Sequence, residues 1–228
     1  MNAKKLSFLL LILVAVACTN RSTSSEQDEM RHWNNVLQQI NALLLENKAR
    51  QTLDLAKQTL PEILESAEKN GTTDTLIYYA RKIFNACGNN YINTKQYKDG
   101  IDYMDSIGNH PLIREHCPHE LLSFKAGLNQ LYGNNPEAVR LAEDYLQLPV
   151  CTSANDFIRQ AEIISGVYMY SGNNLPKAIQ ILEKAIDVYR KGGNFPNMLR
   201  IMSRLGIYYH LSGEYEKAIA TNQEAIAT

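Results

Sequence analysis

The sequence predicts an all-α solenoid of about five helical hairpins, and three observations carry that expectation. A short block, Tyr215-Glu-Lys-Ala218-Ile, returns upstream as Pro176-Lys-Ala178-Ile, Pro136-Glu-Ala138-Val and Tyr97-Lys-Asp-Gly100-Ile, at steps of 40, 40 and 38 residues. Pro118, Pro136, Pro176 and Pro196 each open an apolar run of helical period, where a missing N–H costs nothing because the first helical turn has no partner for it. No stretch alternates apolar and polar residues with period two, so no sheet is expected. One hairpin cannot bury its own apolar face, so stacked copies must share a continuous core.

The chain opens on a targeting segment over residues 1–17: Lys4 and Lys5, then an apolar run from Leu6 to Ala17, and Cys18 directly after it. Twelve helical residues rise about 18 Å, short of the roughly 30 Å of a hydrocarbon core, so the run reads as a signal segment and not as a spanning helix. Residues 18–28 begin with that Cys18 and continue as a polar, Ser/Thr-rich tether without periodicity. From residue 29 to residue 228 every segment has helical period. The expected helices are His32–Leu45, Lys48–Lys69, Thr73 or Asp74 to about Asn93, Lys95–Ile107, Pro118–Tyr132, Pro136–Gln147, Ala154–Ser171, Pro176–Lys191, Pro196–Ser212 and Tyr215 to the end. Pro61 either kinks the second of these or ends it. No cap closes the apolar face of the last hairpin, so that helix is expected to fray beyond Tyr215 or to pair end to end, and the gene to continue past Thr228.

Composition bounds the function. With 45% hydrophobic and 21% charged residues the chain is ordinary globular material. Its 23 basic residues against 24 acidic ones, interspersed, lack the basic footprint of a nucleic-acid binder, so no nucleic-acid partner is expected. No nucleophile elbow, glycine-rich phosphate loop or spaced pair of catalytic carboxylates is present, so neither an enzyme nor a cofactor is expected.

The last hairpin carries Met202, Leu205-Gly206, Tyr209, Ala218 and Ala225 at W-x2-L-G-x2-Y…A…A spacing. Similar sets recur as Trp33, Val36, Leu37 and Ile40; Phe84, Cys87-Gly88 and Tyr91; Leu122, Ala126 and Asn129; and Ala161, Ile164-Ser165 and Tyr168. The chain from about residue 30 onward therefore resembles the tetratricopeptide repeat family. That resemblance implies protein or peptide binding along a concave groove lined by the first helix of each hairpin. Carried over by register, the lining is Arg31, Asn34, Gln38 and Asn41; Lys82, Asn85, Asn89 and Asn93; Glu120, Ser123, Gly127 and Gln130; Arg159, Glu162, Met169 and Tyr170; and Arg200, Ser203, Ile207 and His210. Lys82, Asn85, Asn89, Arg159, Tyr170, Arg200 and His210 are the partner-binding candidates. Lys82, Asn85 and Asn89 distantly resemble a Lys/Asn clamp for a peptide C-terminus, though neighbouring repeats do not extend it.

Ala15-Val16-Ala17 before Cys18 resembles a bacterial lipobox, which implies lipidation of Cys18 and a membrane anchor. By resemblance to lipoprotein sorting, Thr19 after it implies a lipid-anchored place in the cell envelope, at the outer membrane or facing the periplasm. Lipid-anchored repeat chains of this look resemble Bacteroidetes proteins that precede a histidine kinase or helix-turn-helix output, so a sensory region of a longer signalling chain is the rival to a simple scaffold. Asn109 to Glu120 holds His110, His116, Cys117 and His119, metal-ligand types without metal-site spacing, and reads as a loop leading into a helix start. A hydrolase using that cluster ranks last among the readings. Cys87 takes a buried apolar position. Cys117 precedes and Cys151 follows one hairpin, whose antiparallel packing brings both to the same end and permits a disulfide.

Overall fold

Along the chain, apolar residues recur on one side of each segment at three- and four-residue spacing, and each such segment is a helix in the computed structural model, which describes residues 27–149, 154–191 and 198–227. The signal segment, Cys18, Cys151 and Pro196 lie outside the described residues. The helices are α1 (27–45), α2 (Ala49–Asn70), α3 (Asp74–Asn93), α4 (Tyr97–Ile107), α5 (Pro111–His116), α6 (Pro118–Tyr132), α7 (Asn135–Gln147), α8 (Ala154–Tyr170), α9 (Leu175–Arg190), α10 (Met198–Ser212) and α11 (Tyr215–Ala227). No strand occurs among the described residues, and the fold is an α-solenoid of stacked hairpins.

The hairpin turns share one device. Asn47, Lys95, Gly133, Asn173 and Gly213 all have positive φ, and each stands two residues before the helix that follows it. A left-handed residue reverses the chain there, which suits Gly and Asn and is costly for a lysine, by about 1–2 kcal/mol. This is why α4 begins at Tyr97 and not at Lys95: Lys95 forms the turn. Helix α3 is capped by Thr73, whose hydroxyl accepts the Leu76 N–H at 3.2 Å. Helix α2 runs through Pro61 to Asn70. The proline occupies an exposed position, and the buried stripe of Leu53, Ala56, Leu60, Ile63, Leu64 and Ala67 holds the helix on either side of it.

The loop expected between Ile107 and Pro118 is instead partly helical. Pro111 opens α5, the His110 ring accepts the Leu112 N–H at 3.2 Å, and the segment buries Leu112, Ile113 and Cys117 between α3 and α6. Six residues are too few for periodicity to reveal.

Two clusters form the core. The N-terminal one runs from Trp33 to Leu128 and the C-terminal one from Ala126 to Ala225. Helix α6 is their seam, turning Phe124 and Leu128 to one side and Ala126 to the other. Across these cores α2 lies on α3, α4 and α8 lie on α6, and α9 lies on α10.

Candidate functional site

The first helices of successive hairpins, α3, α6, α8 and α10, enclose a groove of about 340 Å³. Asn89 and Asn93 enter it from α3, Gln130 and Leu131 from α6, Arg159, Glu162 and Tyr170 from α8, and Arg200 and Arg204 from α10. Gly127 and Gly166 form part of its wall, so the groove reaches helix backbone at two points.

Its electrostatics centre on Glu162, which is only 8% exposed. Arg200 donates to one carboxylate oxygen at 2.5 Å, while Arg204 pairs with the other at 3.2 Å and donates to the Glu162 carbonyl at 3.0 Å. Burial of a carboxylate is tolerable on those terms, because charge-assisted bonds satisfy both oxygens. The side chain of Arg200 remains 61% exposed, and Arg159 is exposed and enters no ion pair among the described residues. Three guanidinium groups therefore face one carboxylate, a net of two positive charges along the groove.

Of the partner-binding candidates, the structure brings together Asn89, Arg159, Tyr170 and Arg200, with Asn93, Gly127, Gln130 and Glu162 beside them. The other three lie elsewhere. Lys82 holds its ammonium 5.6 Å from the centre of the Tyr78 ring, and Asn85 is buried with its carbonyl accepting from Asn89. His210 lines a separate concavity of about 360 Å³ at the α11 end, with Ile207, Tyr215 and Ile219. In the first hairpin Asn34, Gln38 and Asn41 are exposed and Arg31 pairs with Asp28, while Met169 packs on the C-terminal core. Glu120 is buried against Arg81, and the Ser123 hydroxyl bonds back to the Glu120 carbonyl. Register alone missed Leu131, Gly166 and Arg204, among others. Arg204 had a signal, since it stands four residues after Arg200 and so shares its helix face.

The histidine cluster is dispersed. His110 caps α5 and meets Glu68 at 3.2 Å, the His116 carbonyl accepts from Arg81, and the His119 ring bonds the Pro149 carbonyl at 2.7 Å. Cys87 is fully buried with its sulfur 3.8 Å from the Tyr103 hydroxyl, and burial pushes its thiol up to about 12, so it behaves as a small core group. Cys117 is buried as well, and its proposed partner Cys151 lies outside the described residues.

Residues 161–228 match the tetratricopeptide repeat model. Among solved structures, a Podosopora anserina protein described as a kinesin light chain with nearly identical tetratricopeptide-like repeats is 12% identical, with a TM-score of 0.52 over 85% of this chain and 93% of that one. MamA from Desulfovibrio magneticus RS-1, from residue 41 to its end, is 14% identical, with a TM-score of 0.50 over 88% of this chain and 94% of that one. No curated protein matches the sequence. At these identities the likeness concerns the fold, a tetratricopeptide-like α-solenoid.

Proposed function

We propose that this chain is a non-enzymatic scaffold that docks a protein segment in the groove between α3 and α10 and is tethered to a bacterial membrane through a lipid on Cys18. The groove carries the reading: it is a preformed, mixed polar and apolar concavity contributed by four successive hairpins, which is how a repeat array recognises an extended partner. The tether follows from the signal segment and Cys18. With p-benzoylphenylalanine at Tyr170, irradiation of membranes should yield a cross-linked product, and the same group at exposed Asn34 in the first hairpin should not. Equal cross-linking from both positions sinks the docking site. Cys18→Ser should release the protein from membranes or leave it uncleaved, and unchanged fractionation at the parent's mature mass sinks the anchor.

The end face at α11 favours a second reading. Ile207, Tyr215 and Ile219 are each more than half exposed there. Further helices of a longer signalling chain, sensing on the outer side of the membrane, would cover that face. An immunoblot of the native protein below the 25.8 kDa of this chain, as removal of residues 1–17 alone would give, would argue against it.

A further inference from the structure

Gly166 has no packing reason to be glycine. It sits within α8, where glycine is disfavoured relative to alanine, and a Cβ built there would meet only the Gln130 Oε1, at an ordinary 3.9 Å. The other helix glycines facing a neighbour differ. At Gly88 a Cβ would lie 2.4 Å from the Phe124 ring, and at Gly127 it would lie 2.7 Å from Ile163 Cγ2. Those two are dictated by helix contacts, whereas the space over Gly166 opens into the groove.

The charges around that space are arranged asymmetrically. The Arg204 guanidinium is committed to Glu162, to its backbone carbonyl and to its carboxylate. Arg200 makes one bond with its Nη2 to the same carboxylate, and a guanidinium has five donors, so it keeps donors free to turn toward the opening. Arg159 adds a second exposed guanidinium. Tyr170, 66% exposed, and Leu131, 40% exposed, supply apolar surface at the rim. A bare inorganic anion has no use for those two side chains, whereas a peptide that alternates acidic and apolar residues uses both kinds of surface.

We propose that the groove selects an acidic peptide segment, with one side-chain carboxylate received between Arg159 and Arg200 over the exposed backbone of Gly166 and an apolar neighbour laid on Tyr170 and Leu131. The assignment rests on the groove reading given above and narrows it to a partner chemistry. Glu162 then acts as a built-in competitor: it occupies part of Arg200 when the groove is empty and yields that guanidinium when a second carboxylate arrives.

The test uses the full chain and two fluorescein-labelled, C-terminally amidated decapeptides, one alternating Glu and Leu, the other alternating Gln and Leu. The Glu peptide should bind at least about tenfold more tightly, a margin that shrinks with added salt. Arg159→Gln should remove about tenfold of that affinity, the size of a lost charge-assisted bond. Gly166→Ala should weaken binding while leaving the melting temperature equal or higher, which separates occlusion of the groove from damage to the fold. Glu162→Gln should tighten it severalfold if the variant stays folded by circular dichroism, and Arg159→Gln carries the test if it does not. Equal binding of the two peptides, no binding of either, or Gly166→Ala binding like the parent each overturns the proposal. Photo-cross-linking from Tyr170 that captures a partner with or without Arg159→Gln would overturn the acidic preference while leaving the docking groove standing. Loss of position-specific cross-linking itself would remove the groove and this inference together.

Discussion

The second hairpin and the fourth occupy equivalent places in the solenoid and are packed differently. In the fourth, Ala178, Leu182 and Ala185 line the buried face of α9, a helix of 16 residues that rests more on its own partner α8 than on α10. In the second, the same register holds Gly100, Met104 and Ile107, the helix α4 has only 11 residues, and it rests more on α6 than on its own partner α3. Alanine at each crossing lets two helices approach evenly, whereas a glycine followed by larger groups makes one close contact and leaves the rest to be filled. The filling is done by α5 and by the Phe124 ring seated on Gly88. Repetition holds the fourth hairpin together, and the second depends on a few matched pairs.

Removing one of those pairs should therefore have the largest effect. Phe124 is 1% exposed and stands edge-on to Phe84, with ring centroids 6.1 Å apart. Phe124→Ala should cost about 3–5 kcal/mol in urea unfolding, since the ring leaves a cavity that rigid neighbours cannot close. Hydrogen exchange should quicken in α3 and α6 more than in α9. A loss below about 1 kcal/mol, or uniform exchange, would mean that the two regions do not differ as described.

The register position of Cys87 in the second hairpin is Ile164 in the fourth, and this difference is readable by pH. Desolvation holds the Cys87 thiol at about 12, against an ordinary value of 9.0, so its contribution is fully present below pH 9 and is lost as pH rises toward 12. In that window the unfolded chain has released a proton that the folded chain keeps, so stability falls, with an upper slope of about 1.4 kcal/mol per pH unit. Tyrosines desolvated by the fold add the same sign in both regions, Tyr91 and Tyr103 in the second hairpin and Tyr168 in the fourth. Cys87→Ala should start lower at neutral pH and decline less steeply from pH 9 to 10. An identical slope in parent and variant would show that the thiol is not kept protonated by the fold.

A smaller contrast uses one substitution in both regions. Gly88→Ala forces a methyl into the Phe124 ring, and an overpacking cost of about 1–3 kcal/mol outweighs the roughly 1 kcal/mol of helix preference gained. Gly166→Ala meets open space and should stabilise by about 0.5–1 kcal/mol. The same sign for both in thermal unfolding would remove the distinction between a packed glycine and one facing the groove.

The regular region was also the legible one. The steps between Ala138, Ala178 and Ala218 located α7, α9 and α11 within a residue, because equal spacing is the direct imprint of stacked hairpins. Helix α5 left no such imprint, and the register of Lys82 and Asn85 promised groove residues that α3 turns toward Tyr78 and the core. Four of the seven partner-binding candidates, Asn89, Arg159, Tyr170 and Arg200, meet in one groove, three of them from the fourth and fifth hairpins. The Gly166 opening was invisible to pattern reading, since a glycine in a helical run looks the same whether a ring or nothing stands over it.

The smallest expected effect concerns ion pairs that repeat with the hairpins. Lys177 of α9 reaches both oxygens of Glu143 on α7, at 2.6 and 2.8 Å, and Arg190 at the other end of α9 forks onto Glu224 of α11, at 2.6 and 3.1 Å. Both span 34 residues and tie second helices of neighbouring hairpins, a rung that the second hairpin lacks among the described residues because α4 is too short to present one. The Lys177 ammonium holds the Glu143 carboxyl below its usual range and also lies 4.7 Å from the Tyr168 ring centre. All four groups are partly solvated, so desolvation is small, and so is the attraction that survives water: each rung should couple by about 0.2–1 kcal/mol. The forked Arg190 pair belongs at the upper end, because two parallel bonds fix the guanidinium with little additional loss of freedom. A double-mutant cycle with Arg190→Gln and Glu224→Gln measures it, and in 1 M salt, where charges are screened beyond about 3 Å, the coupling should shrink toward zero. Coupling that persisted unchanged in salt would mean that Arg190 holds α11 through the packing of its hydrocarbon stem, and the fourth hairpin would then owe its regularity to its apolar contacts alone.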